Sequence, residues 1–459
     1  MYEKTKSLRH PLTDARESLG LSKVEYARRI AMELEKELGY RPPVRDHRKV
    51  LRWETGIVPQ AAAQRAIARF HGIQEAEAER LGWPDFLYLA VNDHTADQPW
   101  TPAGATELLN QTLKAQPRDP HRRPARTATG PAFRNRITAA LDRLRQPHPL
   151  PDHPQRPRVP LEVLAHSETR IERLELQEVS SPVTAQTLYY ASVNEHRRIV
   201  GHLTHGGYDG KTAHWLFGLA SRTSALCGWL SICRGEYLLA MDYYDAALRA
   251  ATAAGSRALA VHCMTELAFL QSEAGDPDDA LFLVRSARAA AWHLSPRRRA
   301  VLHAREAAAL SRLGQPGALR SLDLAHRALA LEDVPESEVS LLNIDSEWLA
   351  HHAGRVHLRM GHYRRALEQF TPALNLGPVR DFHPAYPPSA AARHLHPVDA
   401  FLAVGEVEAA VHITNQVVAI AGTLPEAIRQ GYRQRFTPLR TQPSVKELLD
   451  SLDQNSATL

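Results

Sequence analysis

The sequence predicts an all-α fold. Ala and Leu dominate long stretches, and neither side chain loses much rotamer freedom in a helix. Runs of alternating Val, Ile, Thr and aromatic residues bounded by turns are absent, so no sheet is expected. Glycines with closely related surroundings recur at Gly235, Gly275, Gly314, Gly361 and Gly405. Their intervals of 39 to 47 residues fall in the range of stacked helical hairpins.

At 459 residues the chain is too long for one ordinary core. Three regions are expected: 1–91, a linker over 92–160, and a repeat region over 161–459. Hydrophobic residues make up 44% and charged residues 23%, a soluble globular composition. The opening "MYEKTKSLRHPLTDARES" has no apolar signal region, and no window approaches a membrane-spanning apolar run. A cytoplasmic protein is therefore expected. Cys227, Cys233 and Cys263 form no CxxC pair and read as buried free thiols in a reducing compartment. A net charge of +5 by itself identifies no nucleic-acid partner, but its distribution is uneven. Arg41, Arg45, Arg48, Lys49 and Arg52 stand together against the single acid Asp46.

Pro11 suits a first helical turn and Gly20 stands past the end, so "PLTDARES" reads as a short helix. Ser22 and Glu25 form a capping box that opens a second helix, running to a stop at Gly39 ahead of Pro42 and Pro43. Asp46 caps a third helix, "HRKVLRWE", which Gly56 ends. Val50, Leu51 and Trp53 are expected on its core side, with His47, Arg48, Lys49 and Arg52 outward. "AAAQRAIARF" makes a fourth helix, and "ERLGWPDFLYLA" an apolar edge. Residues 92–160 are too rich in Pro to sustain long helices and are expected as a basic tether. Short helices at "ATELLNQTL" and "AFRNRITAALDRL" interrupt it.

Within the repeat region, Gly361 is accompanied by Gly354, Tyr363, Ala366, Phe370 and Ala373. Gly235 is accompanied by Gly228, Tyr237, Ala240, Tyr244 and Ala247. The copy at Gly275 keeps Ala268, Ala280 and Ala287 but lacks the aromatics; the copies at Gly314 and Gly405 are weaker. Small residues allow close helix approach and aromatics fill what remains. The pattern resembles tetratricopeptide (TPR) repeats, and the resemblance implies a TPR-like α-solenoid that senses a signal or dimerises.

The first region resembles the XRE family of phage-repressor-like helix-turn-helix domains, on Arg16, Gly20, Leu21, Ser22, Glu25, Tyr26, Ala27, Val50, Trp53, Glu54 and Gly56. The resemblance implies a helix-turn-helix DNA-binding domain over 1–91. By transfer from the family, Arg16 and Glu54 form a buried structural salt bridge beside Trp53. The same transfer puts Lys23 on a phosphate and His47, Arg48, Lys49 and Arg52 in the major groove, with Arg45 part of the same basic run. In place of the family's tight turn this chain has Ala31 to Arg45, read as a longer second helix and the loop "YRPPVR". On physical grounds alone, a helix N-terminus attracts phosphate and arginine can grip a guanine edge with two bonds. A merely solvated basic face on a small helical domain is the other reading.

Stacked hairpins form a groove lined by their first helices. Measured from the turn glycines, its candidate ligand-binding residues are Arg222, Trp229, His262, Glu266, Phe269, Arg305, Trp348, His351 and Arg355. Contact with neighbouring repeats or a second subunit is the alternative for these positions. The chain has 24 histidines, with His196, His202, His205 and His214 in one cluster and His351, His352 and His357 in another. Neither carries a metal-ligand motif, and no phosphate-cradle or nucleophile-elbow motif is present, so no metal, cofactor or enzymatic activity is expected. Together the two resemblances imply a ligand-responsive transcriptional regulator of the actinomycete type. Its expected partners are double-stranded DNA, a second copy of itself, and a peptide or small molecule, with no membrane. The alternative function is a TPR interaction scaffold whose N-terminal domain does not bind DNA.

Overall fold

The computed structural model describes residues 10–18, 21–39, 47–55, 57–71, 73, 75, 78–79, 82–84, 86–87, 100–114, 130–146, 150, 156–180, 185–291, 293–331, 344–374, 394–421, 424 and 426–454. The architecture is all-α. Among the described residues there is no β-strand, only an isolated bridge between Arg158 and Gly207. Arg45, Asp46, Gly20, Gly56 and the Pro42–Pro43 loop lie outside the described residues. The chain divides into two compact units, Met1–Gln98 with Pro124–Arg136, and Pro99–Arg123 with Ile137–Leu459.

The first unit holds α1 (Pro11–Ser18), α2 (Lys23–Leu38), α3 (His47–Glu54) and α4 (Ala61–Phe70). Ser22 caps α2 with both bonds of the capping box, and Gly39 ends it in the left-handed conformation at φ 71°. An ordinary side chain is strained at that angle, which is why glycine stops the helix there. Tyr26, Ile30 and Leu34 on α2 pack with Val50 and Trp53 on α3 and Ala66 and Ile67 on α4. Leu51 departs from expectation: it is 44% exposed, because it lies on the outward stripe of α3 with His47, one turn before it.

The second unit opens with α5 (Pro102–Lys114), while α6 (Gly130–Arg145) spans the division between the units. The segment expected as a linker thus contributes folded structure. Ala105, Leu108 and Leu109 of α5 share a core with Leu164, Ile199, Leu216 and Ala250. Proline-rich flanks mark where α5 begins and ends but do not prevent its apolar stripe from packing. There follow α7 (Leu161–Ser180), α8 (Ala185–His205), α9 (Gly210–Cys233), α10 (Tyr237–Ala253), α11 (Arg257–Ala274) and α12 (Pro277–Ala290). Next come α13 (Pro296–Arg312), α14 (Gly317–Leu329), α15 (Ser346–Arg359), α16 (Tyr363–Leu374), α17 (Leu395–Ala403), α18 (Val407–Ala421), α19 (Glu426–Phe436) and α20 (Pro443–Gln454). Consecutive helices pack in pairs, α9 on α10, α11 on α12, α13 on α14, α15 on α16, and α11, α13 and α15 also lie against one another. Helix α9 is the one described helix long and apolar enough to cross a membrane, and 83% of its most apolar window is buried within the fold.

The turns explain the glycine spacing. At Gly361 (φ 79°) the backbone N–H donates to Leu358 O at 3.1 Å and the next N–H, of His362, reaches back to His357 O at 2.9 Å. The same pair of bonds recurs after α9, α13 and α17. Gly275 departs from the set. Its φ is −112°, and the Gln271 side chain instead accepts the Asp276 N–H at 3.0 Å.

Inside the hairpins the small residue and the aromatic meet directly. A Cβ on Gly354 would stand 2.5 Å from the Phe370 ring, and one on Gly228 would stand 2.9 Å from the Tyr244 ring. Gly354→Ala is therefore expected to destabilise the second unit by about 1–3 kcal/mol, the usual range for overpacking. Phe370→Leu in the same chain should recover part of that loss. Urea denaturation of the single and double variants measures it, and independent, additive effects would contradict the contact.

Candidate functional site

In the first unit, one carboxylate organises three elements. Arg16 Nε on α1 donates to Glu54 Oε1 at the end of α3 at 2.8 Å, and Lys23 Nζ on α2 reaches Glu54 Oε2 at 3.1 Å. Arg16 Nη1 also donates to the carbonyl of Leu21 at 2.6 Å, and Nη2 to Glu17 Oε1 at 3.0 Å. The Arg16 and Glu54 side chains are both buried, so little water competes for the pair. Lys23, expected on a phosphate, pairs with Glu54 while its side chain stays 37% exposed. Behind this node, the Tyr26 hydroxyl meets His71 Nε2 at 2.9 Å and ties α2 to the end of α4. Burial holds the His71 pKa down to about 4, so the ring is neutral near pH 7.

This frame sets the face of α3. Val50 and Trp53 are buried beneath it, while His47, Arg48, Lys49, Leu51 and Arg52 are exposed. One helical turn separates His47 from Leu51 and Arg48 from Arg52, so the two pairs form one outward stripe. Lys49 flanks it. The one acid on the helix, Glu54, is the residue drawn inward by Arg16. The exposed surface of α3 is thus cationic with an apolar spot at Leu51.

The nine candidate groove residues of the second unit fall into two groups. Arg222 and Trp229 on α9 are engaged by carboxylates of α7. Arg222 Nη2 and Nε bond Glu175 at 2.7 and 3.0 Å, and Trp229 Nε1 donates to Glu178 Oε1 at 2.6 Å. Those two positions therefore meet a neighbouring helix rather than an open groove. Of the others, Glu266, Phe269, Arg305, Trp348 and Arg355 form a connected cluster across the first helices of three successive hairpins. Arg305 (α13) bonds Glu266 (α11) at 3.1 Å and lies over Phe269 (α11) at 4.5 Å and Trp348 (α15) at 5.6 Å. Arg355 (α15) lies over the same Phe269 ring at 5.2 Å and pairs with Glu273 (α11). His351 packs on Phe370 at 5.5 Å, and His262 stands edge-on to Tyr244 at 6.3 Å. Glu266, Phe269, Arg305, Trp348, His351 and Arg355 are all buried.

Comparisons with protein-family models, with curated proteins and with solved structures return no match for this chain. The site stands on its own geometry.

Several partners in that geometry escaped sequence reasoning. Glu168 and Glu175 on α7 are two helical turns apart, as are Arg222 and Trp229 on α9, and Glu266 and Glu273 on α11. Carboxylates two turns apart on one helix, with arginines available on others, were the available signal. Glu273 is strongly affected by these neighbours. Burial raises its pKa, but Arg355 and Arg359 outweigh it and hold the carboxyl at about 2.

The histidine clusters separate in space by role. His196 is buried between Thr112 on α5 and Thr223 on α9, each hydroxyl 3.0 Å from a ring nitrogen. His214 bonds the Ala254 carbonyl, and His357 meets His362 at 3.4 Å. Among the described residues no group of three or more His, Cys, Asp or Glu side chains is placed to hold a metal ion. The three cysteines are buried, and burial pushes the Cys263 thiol up to about 12, which disfavours the thiolate.

Proposed function

We propose that the chain is a sequence-specific DNA-binding transcriptional regulator. In this reading the first unit is a helix-turn-helix domain of XRE type that reads the major groove with α3. The second unit is a TPR-like repeat domain that receives a peptide or small-molecule signal and joins two copies into a homodimer. One observation carries the reading: α3 buries Val50 and Trp53 and exposes His47, Arg48, Lys49 and Arg52 on a frame pinned by the Arg16–Glu54 pair. A buried salt bridge contributes orientation more readily than net stability, and orientation is what a reading helix needs. Arg48 and Arg52 supply forked donors for guanine or phosphate, and exposed Leu51 suits a thymine methyl.

The test is binding to genomic fragments selected in vitro by the full chain, followed by fluorescence anisotropy across a salt series. Binding should weaken steeply with salt, and Arg48→Ala and Arg52→Ala should each reduce the log–log salt slope by about one unit if they neutralise phosphates. Loss of a base-reading arginine costs about 1–3 kcal/mol of discrimination at one base pair. A chain that retards no fragment, or binds equally well without both arginines, is instead an interaction scaffold with a solvated basic helix.

A further inference from the structure

We infer that the buried guanidinium cluster between α11, α13 and α15 is a binding site for a small oxyanion, a phosphate or carboxylate group carried by the ligand. The inference rests on reading the second unit as the sensor and names the chemistry that it would sense.

Charge balance is the first argument. Among the described residues, Arg305, Arg355 and Arg359 pair with Glu266 and Glu273 alone. Arg305 Nη2 takes both oxygens of Glu266 at 3.1 and 3.3 Å. Arg355 and Arg359 converge on a single oxygen, Oε1 of Glu273, the latter at 2.7 Å. Arg312 adds a fourth guanidinium beside them; its Nη1 meets the carbonyls of Gln271, Ser272 and Gly275 at 2.9–3.2 Å, and Asp276 is a third carboxylate acting on it. Nearby Arg435 is balanced by Asp399, with bonds of 2.7 and 2.8 Å. Among the described residues, four guanidiniums (Arg305, Arg312, Arg355, Arg359) thus stand against three carboxylates (Glu266, Glu273, Asp276), and the excess positive charge is felt by their neighbours. Burial together with Arg355, Arg359 and Arg435 drives the His396 pKa well below its ordinary value.

Unmet donors are the second argument. Arg305 and Arg355 are 4% and 5% exposed, yet the Nε of each has no hydrogen-bond partner, and Nη1 of Arg359 also has none. A buried charged donor without an acceptor is among the costlier features of a fold. The two guanidiniums also sit against one ring, Phe269, with their central carbons 4.5 and 5.2 Å from its centroid. Stacking fixes each guanidinium plane and leaves its edges for hydrogen bonding. Oxyanions suit such edges, since planar forks match carboxylate and phosphate geometry. A cation or an apolar ligand would leave both the excess charge and the unmet donors in place.

The experiment uses the full chain without DNA. Inorganic phosphate, and in a separate arm acetate, is titrated calorimetrically against chloride at constant ionic strength, with thermal unfolding followed in parallel. Saturable binding with a rising unfolding midpoint is expected from at least one anion, and which one separates phosphate from carboxylate chemistry. Arg355→Gln should weaken that affinity at least tenfold. Should it fail to fold, Arg359→Gln, at a more exposed side chain, carries the same expectation with the fold checked by circular dichroism. No saturable binding of either anion, or binding unchanged in the folded variants, overturns the site. Because no DNA is present, a chain that takes the anion but retards no DNA keeps the site and loses the regulator reading. The converse result does the opposite.

Discussion

Glu54→Ala is expected to lower the stability of the first unit by about 3 kcal/mol or more, the range seen when one partner of a buried ion pair is removed. Among the described residues, the substitution leaves the buried Arg16 guanidinium with the Leu21 carbonyl and Glu17 as its remaining partners. It also releases the end of α3 from α1 and α2, so any DNA affinity should fall further than the loss of one surface cation would explain. Glu54→Gln, which keeps an acceptor for Arg16, should lose less. Replacing both partners, Arg16→Met with Glu54→Met, should lose less than Glu54→Ala alone, because no charge is left buried and unpaired. Calorimetric unfolding of the four proteins gives the comparison. Equal midpoints for Glu54→Ala and the native chain would show that the pair contributes nothing to stability.

Acidification should destabilise the second unit well before its carboxylates titrate. Burial, with a smaller contribution from Arg197, lowers the His196 pKa from 6.5 to about 3. A histidine whose folded pKa is depressed binds its proton more readily when the chain is unfolded. Stability therefore falls as pH drops from 6.5 toward 3, by about 1.4 kcal/mol per pH unit for one such group. Glu273, held at about 2 against an ordinary 4.5, adds its own loss only below that ordinary value. The two threonine hydroxyls beside the ring already donate to the carbonyls of Leu109 and Leu219, so burial rather than these neighbours keeps the ring neutral. His196→Gln should remove about one proton's worth of slope between pH 6.5 and 4, read from urea denaturation at successive pH values. A variant with the native slope would show that His196 does not carry this linkage.

Much of the local structure was legible because its causes are local. Pro11, the Ser22–Glu25 box and Gly39 mark helix ends through caps and forbidden backbone angles, and α1 and α2 end where those residues stand. The recurring glycines marked hairpin turns for the same reason. Gly275 shows the limit, since a side chain four residues earlier took over the cap and released the glycine from the left-handed turn. Leu51 was misplaced because an eight-residue helix has few apolar positions, and the pattern alone does not say which of two adjacent ones turns inward. The surroundings of the candidate groove residues were hidden for a different reason. Position along a hairpin predicts which helix face a residue occupies, but not whether Glu175, Glu178 or Glu273 will meet it from another helix. Pairing between distant faces is decided by packing, which local propensity does not encode.

Helix α5 has a practical corollary for anyone wishing to study the second unit in isolation. Beyond its leucines, it sends Asn110 to the Thr204 hydroxyl at 3.1 Å and Thr112 to His196. A fragment started at the first long helix, Leu161, would strip one wall from the core and leave an imidazole facing water on one side. A soluble fragment should begin ahead of Trp100, whose ring lies 4.4 Å from the buried Arg249 guanidinium, even though everything about the intervening prolines invites a cut further downstream.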